Sequence, residues 1–189
     1  MIDAKEVAGA LYGLWRLVRW DDKALSFFNA TEQGFWRSFM AAAFVAPLQA
    51  LYQLSVYLTM DAPPPGWRVA TIESLEYVIL WVLYPLAMFY VVKLLNRKTE
   101  FFGYMVAYNW FQLGVGYVAM PLVILSQFEL LPTSVSGFFD SLIFVAYVTY
   151  AAFIARAGLK ITTGSGIGIV VIDILLTLLV GQTTLRMLT

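Results

Sequence analysis

Apolar residues run through this chain in long blocks rather than in alternation. From 38 to 60 there is no charged side chain, and a helix crossing a bilayer needs about 20 predominantly apolar residues. A second block covers 72–95, with Glu73 and Glu76 confined to its first turns. The stretch 101–128 is again uncharged and Pro132 closes the turn after it, which places a third span at 102–125. A fourth falls at 138–158, between Asp140 and Arg156, and a fifth at 166–185, rich in Ile, Val and Leu and interrupted once by Asp173. Strand alternation is missing and the blocks outrun a barrel strand. The pattern predicts an all-α membrane protein whose five transmembrane helices occupy 38–189 as one domain.

Residues 1–37 follow a different rule. Val7, Leu11, Leu14 and Val18 recur at spacings of four, three and four, with Ala4, Ala8 and Trp15 beside them, while Lys5, Arg16 and Arg19 fall outside the stripe. That is the period of an amphipathic helix. Its charges interrupt any apolar core of a signal peptide. With Trp15 and Trp20 near the cations, the segment suits the headgroup region of a membrane, and packing on the ends of the spans is the equal alternative. Asn29 followed by Glu32 resembles a capping box that starts a second helix running into the first span.

Composition sharpens this picture. Of 189 residues 61% are apolar and 13% charged, and the mean hydropathy of +0.76 lies outside the soluble range. Twelve Lys and Arg balance twelve Asp and Glu, so nothing points to a nucleic-acid partner. The placement of the cations is more telling. Ten of them (Lys5, Arg16, Arg19, Lys23, Arg37, Lys93, Arg97, Lys98, Arg156 and Lys160) share one side of a five-span topology, leaving Arg68 and Arg186 for the other. Because cytoplasmic flanks keep Lys and Arg, the expected topology has the N-terminus on the cytoplasmic side and the C-terminus on the outer side.

With no Cys and no His, thiolate and imidazole metal sites, conventional haem ligation and Ser/His or Cys/His nucleophile pairs are excluded. No metal, cofactor or catalytic residue is assigned. An intramembrane aspartyl protease needs two embedded aspartates, and Asp140 lies about half a bilayer from Asp173. Asp173 itself stands eight residues past Ser165, about 12 Å into the span at ~1.5 Å per residue. An ionised carboxylate there must face the bundle and be paired, or be protonated. Asn109, Gln112 and Tyr150 lie at comparable depths and complete an expected intramembrane polar cluster. It reads either as polar glue between helices or as a proton or cation site. Glu73, Glu76 and Asp140 mark an acidic rim at the far end, solvated or cation-binding. Pro47, Pro85 and Pro121 each remove a backbone hydrogen bond within a span and favour a kink. Gly164 and Gly168 have the spacing that lets another helix approach closely.

The topology, together with Gly34-Phe-Trp-Arg-Ser-Phe39, Ala107-Tyr-Asn-Trp110 and Phe153-Ile-Ala-Arg156, resembles small alphaproteobacterial inner-membrane proteins, which in turn resemble the five-span Yip (Ypt-interacting protein) family of membrane traffic. The Asp-Leu-Tyr-Gly-Pro type signature of the eukaryotic members is absent, so Rab-GTPase binding is not carried over. The resemblance implies a non-enzymatic membrane protein that organises membrane or partner proteins. Its partners are the lipid bilayer and a protein, or a second copy, meeting its helix faces. The other function in view is a small-solute or ion transporter using Asp173. A polar pathway to Asp173 distinguishes them: a transporter needs one and an organiser does not.

Overall fold

The computed structural model describes residues 4–188, and no strand occurs among them. Seven α-helices follow in order: α1 (Ala4–Val18), α2 (Glu32–Ser38), α3 (Met40–Leu58), α4 (Gly66–Leu94), α5 (Phe101–Gln127), α6 (Thr133–Leu159) and α7 (Thr163–Leu188). Only Phe39 separates α2 from α3, and Glu32–Leu58, α4, α5 with its leading 3₁₀ turn, α6 and α7 are each long and apolar enough to cross a membrane. Each apolar block coincides with one of them, the first two blocks running one or two residues past the helix end. The helices outrun the blocks at their starts: α4 begins at Gly66 after Pro65, and α6 at Thr133 after Pro132. Hydropathy marks the thickness of hydrocarbon, whereas the hydrogen-bond ladder extends through polar turns back to a proline, whose ring disfavours a helical backbone at the residue before it.

The spans form an open ring. α5 packs between α3 and α6, α6 continues to α7, and α7 to α4, while α4 meets α5 only lightly and α3 and α4 barely touch. Burial on α5 is continuous from Tyr104 to Phe111, as expected of a helix surrounded on all faces. Its neighbours there include Met88, Val92, Ile154 and Leu159, all buried. One end of the ring is therefore solid.

That solid end is also the cation-rich end. Lys160 at the close of α6 reaches Glu100 before α5 at 3.4 Å, Arg156 meets Asp22 at 3.1 Å, and Arg37 meets Glu6 at 2.8 Å. At the opposite, acidic end Arg68 donates to the Met187 carbonyl at 2.5 Å. The ten-to-two division of cations in the sequence is thus a division between the two ends of the bundle.

Three local expectations are corrected. α2 is capped by Thr31, whose hydroxyl accepts from the Gly34 N–H at 3.0 Å, rather than by Asn29. The Asn29 amide donates instead to Glu6 on α1 at 3.0 Å. Gly164 and Gly168 face open space; the close approach is at Gly166, where a Cβ would stand 2.9 Å from the Ala152 carbonyl oxygen of α6. On α1 the face against the bundle is Ala10, Gly13 and Leu17, with Val7 and Leu14 half-buried, while Leu11, Trp15 and Val18 of the predicted stripe turn outward. The apolar arc is wide enough to serve two surroundings. Pro47, Pro85 and Pro121 lie within α3, α4 and α5, which continue past them.

Candidate functional site

Because α3 and α4 stand apart, the half of the ring towards the acidic end encloses a cavity of about 700 Å³ lined by residues of α3 to α7. It follows α7 from Asp173 to Leu188, about 22 Å at ~1.5 Å per residue. Met60, Val69 and Leu188, at helix ends, line its mouth, and Asp173 lies at its floor. The gap between α3 and α4 is bridged twice by side chains. The Gln53 amide donates to Glu73 at 3.0 Å, and the Tyr77 hydroxyl donates to the Ala42 carbonyl at 2.6 Å.

Asp173 is only 4% exposed. The Tyr108 hydroxyl donates to its Oδ2 at 2.7 Å, and the Tyr147 hydroxyl donates to the same oxygen. The Gln112 amide in turn donates to the Tyr108 hydroxyl at 2.5 Å. Among the described residues no hydrogen bond reaches Oδ1, and Asp173 lines the cavity. A charge buried in low dielectric is stable only when paired or hydrogen-bonded. Two phenols supply the bonds, and no cation stands among the lining residues.

Beneath Asp173 the path towards the cation-rich end is blocked by aromatic rings. Tyr84 stacks on Tyr108 with centroids 4.3 Å apart, and the Tyr84 and Tyr104 hydroxyls share a hydrogen bond of 2.5 Å. All three are buried. Pro85, next to Tyr84, is buried as well. The proline leaves the α4 carbonyl four residues earlier, at Trp81, without its helical donor, so α4 has a natural bending point at the level of this plug.

Of the polar cluster expected from depth, the structure brings Asp173 and Gln112 together through Tyr108. Asn109 also lines the cavity, but its amide donates to the Ser38 hydroxyl at 2.8 Å, joining α5 to the end of α2 rather than reaching Asp173. Tyr150 points to α1: its hydroxyl donates to the Val18 carbonyl at 2.9 Å, and its ring stacks on Trp20 at 4.5 Å. Depth alone located these residues; rotation about the helix axis sorted them, since three residues on a helix turn a side chain about 60°. Glu73 and Glu76 line the cavity, whereas Asp140 is exposed elsewhere on α6. Sequence reasoning passed over Tyr84, Tyr104, Tyr108 and Tyr147. The signal was present in Tyr104 and Tyr108, four residues apart on one helix face in the opening turns of the third span, because a buried phenol needs a partner.

No protein-family model, curated protein or solved structure matches this chain.

Proposed function

We propose that this protein is a non-enzymatic membrane carrier that admits a small solute from the acidic end into the bundle, with Asp173 as the deepest binding group. The supporting observation is the cavity reaching Asp173 from one end while the other end is packed shut. That arrangement is what an outward-facing carrier needs if the cation-rich end is cytoplasmic, as the positive-inside rule favours. Tyr108 and Tyr147 hold the carboxylate in place. Passage to the other side requires parting of the Tyr84, Tyr104 and Tyr108 plug, and a bend at Pro85 supplies that freedom. The host membrane in this reading is a bacterial inner membrane.

The natural absence of cysteine makes the test direct. Gln112→Cys should react with a membrane-impermeant thiol reagent applied from the periplasmic side, and not from the cytoplasmic side of inverted vesicles. Silence from both sides would show that water does not reach the floor of the cavity, and the carrier reading would fall. A second reading, a Yip-like organiser, draws on α1, whose outward Leu11, Trp15 and Val18 and the Arg19 guanidinium 3.7 Å over the Trp15 ring offer a surface to lipid or a partner.

A further inference from the structure

We infer that the solute is an elongated organic cation bearing positive charge at both ends, of the linear polyamine type; the inference rests on the carrier reading of the cavity. The first ground is charge. Glu73, Glu76 and Asp173 line the cavity and no Lys or Arg does, and the chain has no His. Gln53 and the two phenols donate neutral hydrogen bonds to these carboxylates and bring no compensating charge. A cleft of one sign with low-dielectric walls concentrates ligands of the opposite sign. The floor carboxylate, 4% exposed, keeps Oδ1 unbonded among the described residues and open to such a ligand.

The second ground is spacing. Glu76 lies beside Gly181, where a Cβ would stand 3.6 Å from the Glu76 Oε1. Gly181 is eight residues along α7 from Asp173, so the two negative centres are about 12 Å apart along the cavity. No single metal ion bridges such a distance, and no group of three acidic side chains among the described residues is arranged to hold one. The volume, about 700 Å³, is also that of an organic-ligand pocket. Between the two centres the walls carry aromatic rings, including Tyr77, Trp81 and Phe144. Ring faces attract ammonium groups and pack against methylene chains.

The test is calorimetric titration of the full-length protein in lipid nanodiscs with a linear alkane diamine whose amino groups span about 12 Å when extended. The monoamine, the diol and the dicarboxylate of equal chain length serve as comparisons. The diamine should bind at least tenfold more tightly than the monoamine, and the diol and dicarboxylate should not bind measurably. Asp173→Asn and Glu76→Gln should each lower diamine affinity tenfold or more, towards that of the monoamine. If Asp173→Asn does not fold, Glu73→Gln and Glu76→Gln near the mouth carry the comparison. Equal binding of diol and diamine, or binding of the dicarboxylate, would overturn the cationic assignment and leave the carrier reading standing. So would failure of all four compounds to bind while Gln112→Cys is labelled from outside. Failure of both binding and labelling would remove the carrier reading with it.

Discussion

At the scale of single residues, the stability of the cavity floor depends on Tyr108. Its hydroxyl has one proton, directed at Asp173, and lone pairs that accept from Gln112. Tyr108→Phe removes a donor from a buried carboxylate and leaves the Gln112 amide without its acceptor. Hydrogen bonds to charged groups are worth about 1.5–3 kcal/mol, and interhelical bonds in membranes average below that, so a loss of about 1–2 kcal/mol is expected. The measurement is the thermal unfolding midpoint in mild detergent, which should fall by several degrees. Adding Asp173→Asn should recover part of the loss, because the neutral amide needs less donation than the carboxylate. Strict additivity of the two substitutions would show that Tyr108 and Asp173 do not act as a unit.

α1 shows at the scale of elements how one amphipathic segment divides its apolar surface. Glu6 ties it to the start of the first span through Arg37 at 2.8 Å and Asn29 at 3.0 Å. Trp20, left-handed at φ 58°, ends the helix and stacks against Tyr150 of α6. A left-handed backbone is uncommon outside glycine, and the aromatic stack offsets its cost. With both ends held, the outward face of Leu11, Trp15 and Val18 is positioned at the cation-rich end. This is where a headgroup layer would lie under the topology proposed above. A variant retaining Trp15 as its single tryptophan should be quenched by brominated lipid in nanodiscs, and more strongly when part of the lipid is anionic, since each nearby cation contributes about 1 kcal/mol to such attraction. Absence of quenching would place this face against protein or water and remove lipid as its partner.

For the whole molecule, the open ring and the asymmetry of its ends go together. The end that carries ten cations is filled with buried side chains, and the end with the acidic residues keeps the cavity. The orientation proposed here makes the cavity periplasmic. Cysteine placed at Gln127 should react with an impermeant thiol reagent from outside intact cells, and cysteine at Thr99 only after the cytoplasmic face is opened. The reverse pattern would turn the carrier around, with its cavity facing the cytoplasm.

Number and order of the long apolar helices were legible in the chain. Continuous apolar blocks admit few structures other than a membrane helix, and Lys and Arg cluster at one end of each hairpin, so both properties are written in linear sequence. The position of Asp173 partway along an apolar helix, and its need for partners, were legible for the same reason. Which partners it has was decided only by the tertiary structure. Tyr147 and Tyr150 differ by one turn in depth but face different neighbours, and Asn109 and Tyr108 are consecutive yet serve Ser38 and Asp173 respectively. The cavity is likewise tertiary. It exists because α3 and α4, adjacent in sequence, are kept apart as each packs on another helix, α3 on α5 and α4 on α7. A hydropathy pattern records how far along a helix a residue lies; the direction it faces depends on helix rotation and neighbour choice, which arise only when all five spans pack together.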